Sequence, residues 1–273
     1  MTHDNTAIRS MSFGLLHLPT GGGRAWLDEV KAAEQHGWNC LLVPDTLWTP
    51  SPFPTLASAA AVTASLRLRT WVLAAPLRSP TAVTREVKAL QLLSGGRFEL
   101  GIGSGRPDAE REAQLLGVPW GTPAERIRQV EQVIMAVREQ VIPAPIIAIT
   151  GFGPKMLATA ARIADRVGLA LPPTASEGEL RAAVDRLQAM RSNHIGLTLQ
   201  LSGVAGKLTT WLASSGLDPQ ALSASNAIGM LSGDTAQMTD TLQRWRVEFG
   251  IDEIIVPGEL ADEFAPVIGR MTA

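Results

Sequence analysis

The chain has 273 residues, is 45% hydrophobic and carries a formal net charge of −2. That is enough apolar material for one large core, and the length fits one α/β barrel or two small domains. The charge is spread along the chain, so no basic tail or stripe points to nucleic acid, and no apolar run approaches the roughly 18 residues of a membrane helix.

The first ten residues, MTHDNTAIRS, are polar and do not read as a signal peptide. Cys40 is the only cysteine, which excludes an intrachain disulfide and predicts a reducing, cytoplasmic setting. With no tyrosine in the chain, tyrosine acid–base chemistry is excluded. Only Lys31, Lys88, Lys155 and Lys207 are lysine among the 24 basic residues, an arginine bias that hints at a GC-rich genome.

Apolar strands alternate with amphipathic helices. MSFGLLHL (11–18) reads as the first strand and TGGG breaks it. Over 24–37, Trp26, Val30 and Ala33 share one stripe and Gly37 ends the helix. NCLLVPD (39–45) is a continuous apolar run of the kind a buried parallel strand shows. A short helix near 54–65 precedes a third strand, LRLRTWVLAA (66–75). Helix 80–94 places Val83, Val87 and Leu90 on one face and stops at Gly95-Gly96, and RFELGIG is the fourth strand.

The next helix, 123–141, has Thr122 as its cap, Pro123 at its first position and Glu125 completing a capping box. Ile127, Val130, Ile134, Val137 and Val141 form its apolar stripe. PIIAIT (145–150) is the fifth strand, Pro154 opens another helix, and RVGLAL (166–171) is the sixth strand. A helix over about 177–192 leads to IGLTLQL (195–201), the seventh strand, and residues 203–231 read as a longer, partly helical insertion. Helix 234–249 carries Met238, Leu242, Trp245 and Phe249, Gly250 ends it, and DEIIV (252–256) is the eighth strand, followed by a last helix. Eight β→α units predict a single-domain α/β chain forming a closed (β/α)8 TIM barrel, with a doubly wound open sheet as the competing architecture.

Several motifs fail. Gly101, Gly103 and Gly105 do not make a G-x-G-x-x-G dinucleotide fingerprint, because Arg106 stands where the third glycine belongs. AGKLTT (205–210) has Leu208 where a phosphate loop needs Ser or Thr. His3, His17, His36 and His194 are scattered and form no metal-ligand spacing, so no metal site is expected. Cys40, inside a strand pattern, reads as a small buried apolar side chain.

In a barrel of this kind the chemistry sits at the C-terminal ends of the strands. That rule selects His17 after strand 1, Asp45, Thr46 and Trp48 after strand 2, and Thr70, Trp71 and Val72 on strand 3. It also selects Gly103, Ser104, Gly105 and Arg106 after strand 4, and Gly151, Phe152, Gly153 and Lys155 after strand 5. Each has a plainer structural reading: His17 as a hydrogen-bonded structural histidine, Asp45 as a cap, the tryptophans as packing, and Arg106 as a solvated charge. The strand 4 glycines would let a planar cofactor lie against bare backbone. The helix opened by Pro154 offers unpaired N–H groups to an anion, Lys155 adds a charge, and Arg126 is a further candidate phosphate partner with a surface ion pair as its alternative.

Over nearly its whole length the chain resembles the luciferase-like monooxygenase superfamily. The resemblance rests on LDEVKAAEQHGWNCLLVPD (27–45), VTREVKALQLLSGGRFELGIGSG (83–105), TPAERIRQVEQVI (122–134), ITGFGPKMLATAARIADRVGL (149–169) and the C-terminal GDTAQMTDTLQRWRVEFGIDEIIV. It implies a barrel that binds FMN or the deazaflavin coenzyme F420 with the ring between the ends of strands 3 and 4. It also implies a non-proline cis peptide or bulge at about Trp71-Val72, a phosphate held by the loop after strand 5 and by Arg126, and a homodimer. The sequence departs from the family at Thr46, where several members carry histidine, and at Arg106, where deazaflavin-dependent sugar-phosphate dehydrogenases carry a glutamate. Both departures argue against that dehydrogenase chemistry.

The expected activity is therefore a flavin- or deazaflavin-dependent oxidoreductase acting on a small organic molecule, with F420 favoured and FMN the alternative. His17 and Asp45 are the candidate acid–base residues, and Thr46, Trp48 and Arg106 the candidate substrate contacts. A ligand-binding barrel without turnover, and a cofactor-free lyase or hydrolase with Lys155 as its Schiff-base candidate, are the competing classes.

Overall fold

A computed structural model describes residues 11–191, 193–218, 222 and 225–272; the N-terminal stretch containing His3 lies outside the described residues. Eight parallel strands close on themselves: β1 (Ser12–Leu16), β2 (Cys40–Val43), β3 (Arg67–Thr70), β4 (Phe98–Gly103), β5 (Ile146–Gly151), β6 (Arg166–Leu169), β7 (Gly196–Gln200) and β8 (Ile251–Pro257). Closure comes from β8 pairing in parallel with β1, Ser12 opposite Glu253 and Leu16 opposite Pro257. The predicted TIM barrel is the observed fold.

The two-residue period of the strands sorts side chains into two environments. Leu41, Val43, Ile147, Ile149, Ile254 and Val256 point outward and join the surrounding helices in the main core. Cys40, Leu42 and Ile255 form a separate cluster with Leu16 and Trp71 inside the barrel. Burial pushes the Cys40 thiol up to about 12, which keeps it an inert packing group.

Lower in the barrel the interior is ionic. Arg69 and Glu253 are 0% exposed and Glu99 is 2% exposed. Arg69 Nε donates to Glu99 Oε2 at 2.6 Å, and its Nη1 and Nη2 donate to the two Glu253 oxygens at 2.5 and 2.9 Å. Arg67 bridges the same carboxylates at 2.8 and 3.0 Å, and Thr198 Oγ1 donates to Glu253 at 2.9 Å. Burial alone would raise both carboxyl pKa values; the guanidinium of Arg69, helped by Arg67 and, at Glu253, by Arg166, outweighs it and holds both below the ordinary carboxylate range.

The predicted third strand, 66–75, is interrupted. Its ladder runs Arg67–Thr70, then a cis Trp71–Val72 peptide intervenes, a short strand resumes at Leu73–Ala74, and a 3-10 turn follows at Ala75–Leu77. Gly101 on β4 accommodates this interruption, because a Cβ there would overlap the Thr70 carbonyl oxygen. The helices match their predicted caps: Thr122 and Glu125 form the capping box of Pro123–Gln140, and Gly250 ends Thr235–Phe249 in the left-handed conformation. The helix Glu110–Leu116, ended by Gly117 at φ 67°, was not predicted.

The insertion after β7, expected to be partly helical, carries strands as well. Gly203–Val204, Lys207–Leu208 and Met230–Leu231 form a small three-stranded sheet, with helix Thr210–Ser214 between the second and third of them. The tetrapeptide at its first turn explains this: Ala205 and Gly206 have φ of 49° and 85°, the paired positive values of a two-residue hairpin turn. The stretch that faintly resembles a phosphate loop is thus a hairpin. Among the described residues no helix is long and apolar enough to cross a membrane.

The buried ion cluster makes a signed expectation. Glu99 and Glu253 contribute stability above their unfolded pKa of 4.5, and that contribution is lost as pH falls through their depressed folded values. Arg69→Leu leaves two buried carboxylates with Arg67, and at Glu253 also Arg166 at 3.7 Å, as their remaining close cations, and should cost about 3 kcal/mol at pH 7. The gap from wild type should narrow towards pH 5, where the variant's carboxyls take up protons. Urea unfolding midpoints at the two pH values measure both effects; a gap that is equal at both would contradict the electrostatic account.

Candidate active site

The C-terminal ends of the strands open onto an 870 Å³ cavity. Its floor and walls include Leu16 from β1, Trp71 and Val72 after β3, Gly103 on β4, Thr150 on β5 and Gln200 on β7. Of the sequence candidates, Asp45, Thr46, Trp48, Trp71, Val72, Gly103, Ser104, Gly105, Arg106 and Gly151 all line it. A second cavity of 350 Å³ lies beside it, bounded by Gly151, Phe152, Gly153 and Lys155 at the start of helix Pro154–Ile163 and by Ser104 from the β4 side. The two cavities share Ser104 and Gly151.

The second cavity has the features of an anion site. The helices Pro80–Leu93, Pro123–Gln140 and Glu177–Met190 are each capped by a Ser or Thr side chain. Helix Pro154–Ile163 begins instead at Gly153, which has no side chain to satisfy the first-turn N–H groups. Lys155 is exposed beside them. Gly151 is required to be glycine by packing, since a Cβ there would overlap the Met156 side chain.

Three candidates fall elsewhere. His17 does not line either cavity: its Nε2 meets Glu29 Oε2 at 3.0 Å and its ring stacks on Trp26 at 5.8 Å. Its Nδ1 side is packed so closely on Gly258 that a Cβ there would lie 2.5 Å away. It therefore ties helix Gly23–Gln35 to the end of β1. Thr70 is fully buried, with Oγ1 donating to the Gly101 carbonyl at 2.6 Å, so it serves the β3–β4 junction. Arg126 does not reach the anion cavity; its guanidinium lies 4.4 Å from the Trp120 ring centre and Nη1 donates to the Gly121 carbonyl at 2.9 Å. Its Nε is buried without a partner.

Other candidates reach the cavity already paired. Arg78 grips Asp45 through Nη2 at 2.5 Å and Nε at 3.0 Å, and the Ala74 N–H adds a third bond. This two-pronged pair fixes the turn after β3. Arg106 donates to Glu112 at 2.7 Å and to Asp108 at 3.1 Å, and its guanidinium sits 5.1 Å from the ring centre of Trp48. Glu112, only 1% exposed, also accepts the Leu47 N–H at 2.8 Å, so one carboxylate joins the loops after β2 and β4. The glycines of β4 are likewise explained by the protein's own contacts: Gly103 faces Val72, and Gly105, at φ 81°, lies against Trp120. Gly103 and Gly105 still present bare backbone to the cavity, but Gly101 does not.

A family model described as luciferase-like monooxygenase matches residues 11–206. The chain belongs to the luciferase-like monooxygenase family. An uncharacterized protein of Mycobacterium bovis is 30% identical over 132 residues, covering 40% of this chain and 44% of that protein. The chain thus spans under half the length of that curated relative. Among solved structures, the coenzyme F420 dependent tetrahydromethanopterin reductase of Methanopyrus kandleri superposes with a TM-score of 0.70 at 18% identity, covering 95% of this chain and 97% of that one. A riboflavin lyase, solved with modified FMN and riboflavin, superposes with a TM-score of 0.76 at 14% identity, covering 97% and 92%. At such identities the likeness shows the shared fold. The non-proline cis peptide that the family resemblance implied at Trp71–Val72 is present in this luciferase-like barrel.

Sequence reasoning missed Arg78, Glu112, Trp120 and Gln200. Gln200 accepts the Trp71 Nε1 proton at 2.7 Å and so fixes the indole in the cavity floor. Its position at the last residue of β7 was a usable signal; Glu112, on a helix that was not predicted, gave none.

Glu112→Leu should strand the Leu47 N–H, leave Arg106 with Asp108 alone, and destabilise the fold by about 1–3 kcal/mol. Because Glu112 holds Arg106 beside Trp48, acrylamide quenching of tryptophan fluorescence in the same variant should change. Unaltered stability together with unaltered quenching would show that the carboxylate does not organise the rim.

Proposed function

We propose that this protein is an oxidoreductase that uses the deazaflavin coenzyme F420, with FMN as the competing occupant of the same site, on a small organic substrate. The observation that carries this reading is the pair of joined cavities. A large one lies at the strand ends and is floored by an indole and backbone; a smaller one lies at an uncapped helix N-terminus beside Lys155. A flat ring with a phosphate-bearing tail has that two-part shape. Family membership supports the reading, as do two relatives of the same fold, one described as F420 dependent and the other holding modified FMN. The arginine-rich composition favours F420 over FMN through a GC-rich source.

Val72, Gly103 and Ser104 would face the ring, while the N–H groups after Gly153 and the Lys155 ammonium would hold the phosphate. When bound, such a group supplies two-electron redox chemistry, as hydride transfer for the deazaflavin or with oxygen for reduced FMN. The chain supplies binding, orientation and exclusion of water. Arg78 neutralises Asp45 and Glu29 engages His17, so neither offers the cavity a free acid or base. We propose further that the protein works in the cytoplasm as a homodimer, which light scattering after size exclusion tests.

Titration with F420 and with FMN, followed by absorbance and tryptophan fluorescence, should show saturable binding of F420, and weaker binding of FMN. Tight binding of FMN alone would reverse the cofactor choice, and binding of neither would overturn the reading. Lys155→Ala should weaken cofactor affinity about tenfold, equivalent to about 1.4 kcal/mol, with little change in thermal stability. Affinity equal to wild type would remove Lys155 from the phosphate site.

A further inference from the structure

Beside the large cavity, over the ends of β6 and β7, lies a pocket of 230 Å³. It shares Trp71, Thr150, Ala170, Gln200 and Trp211 with the large cavity and extends from there under Leu169 and Ile228. The charged candidates Asp45 and Arg106 lie on the other side, towards β2 and β4, and Lys155 lies at the second cavity after β5. No charged side chain lines this pocket, and its walls are mostly Leu, Ile, Pro and Trp.

Thr150, Gln200 and Ser202 are the polar side chains in that apolar setting. Thr150 Oγ1 is buried and has no hydrogen-bond partner, and such a group costs free energy until something pairs with it. Gln200 has its oxygen committed to Trp71 Nε1, so what it presents to the cavity is an amide N–H₂. The Thr150 hydroxyl is turned in against Gly168 and away from the pocket, so the Gln200 amide is the group that suits an acceptor oxygen on the ligand.

The pocket's outer wall is also built for the purpose. Trp211 lies on helix Thr210–Ser214, is 68% exposed and lines both this pocket and the large cavity. Glu259, just after β8, pins that helix by accepting the Thr210 N–H at 2.9 Å and its hydroxyl at 2.5 Å. Lys207, on the neighbouring hairpin, pairs with Glu263 at 2.9 Å. The insertion is therefore tied to the end of the barrel at two places, and Trp211 is held over the cavity. The Glu259 carboxylate beside it opposes an anionic ligand, and a carboxylate inside the uncharged pocket would lose hydration without finding a cation.

Building on the cofactor reading above, the geometry points to this pocket as the substrate subsite. It selects neutral, mostly apolar molecules of about eight non-hydrogen atoms that carry a carbonyl-type oxygen, with Trp211 as the specificity-determining cover and the Gln200 amide as the polar anchor. The size follows from the volume, at the roughly 30 Å³ a water occupies in the liquid. Lys155 and Arg106, both outside the pocket, leave it unable to favour an acid.

Ligand-observed saturation-transfer NMR on the whole protein, free of cofactor, tests this with cyclohexanone against cyclohexanecarboxylate. Cyclohexanone should bind saturably and at least about tenfold more tightly than the carboxylate. Trp211→Ala should weaken cyclohexanone about tenfold, while circular dichroism reports unchanged folding. Equal affinity for the two probes, or a Trp211→Ala variant that binds cyclohexanone like wild type, would overturn the assignment. The cofactor titration separates the two readings. Cyclohexanone binding without F420 or FMN binding would keep the subsite and remove the cofactor, and the reverse outcome would remove the subsite alone.

Discussion

The interior of a (β/α)8 barrel has to be filled, and here one strand supplies most of the filling. Arg69 and Trp71, two residues apart on and just after β3, both turn inward, and the guanidinium lies 5.9 Å from the indole centre. The opposite walls yield space to them. A Cβ on Gly168 of β6 would meet Trp71 at 2.6 Å, and one on Gly101 of β4 would collide with the backbone where β3 breaks. Below, the charge of Arg69 is matched by carboxylates on β4 and β8, so a single side chain crosslinks three strands of the closure. Such a cluster is weak evidence for stability in itself, because desolvating three ions is costly. Its consequence is positional: it closes the bottom of the barrel and leaves Trp71 standing as the floor of the cavity above.

That floor determines what the strand ends can do. Gln200 fixes the indole, the Thr70 hydroxyl fixes the β3–β4 junction, and the carboxylate of Asp45 fixes the turn that follows. Three polar side chains at the mouth are therefore used to hold backbone in place. The loops above are held by Glu112, which joins the segments carrying Trp48 and Arg106. His17, Asp45 and Arg106 are likewise engaged by Glu29, Arg78 and Glu112.

Much of this architecture was legible in the chain because it is local. The capping box at Thr122, the helical stripe from Ile127 to Val137 and the glycine stops at Gly95 and Gly250 depend on neighbours a few residues away. The strand ends were also found, and with them ten of the 22 residues lining the cavity. What was not legible is direction and long-range partnership. His17 lies where predicted, but it turns towards Glu29 and Trp26 and away from the cavity. Arg126 lies one turn into the predicted helix, and Trp120 captures it. The β4 glycines were marked correctly as bare backbone, yet their sequence could not say that Thr70, Val72 and Trp120 approach them. The ion cluster had a visible trace: Arg67 and Arg69 alternate within an otherwise apolar run, which in a parallel strand demands buried partners.

The distribution of charge gives the mouth of the barrel a polarity of its own. Asp45, Arg106 and Glu112 are all consumed in pairs on the β2–β4 side. Lys155 stands beside an uncapped helix N-terminus on the β5 side, so unspent positive potential is concentrated there. Over β6 and β7 the wall becomes apolar, and the buried Thr150 hydroxyl beneath it has no partner. Thr150 lines both the large cavity and the uncharged pocket, one residue before Gly151, which lines both the large cavity and the anion site. The end of β5 thus divides the mouth, with the positive end of helix Pro154–Ile163 on one side and an uncharged wall on the other. An anion and an uncharged molecule placed on the two sides would not compete, because each would find only its own kind of partner.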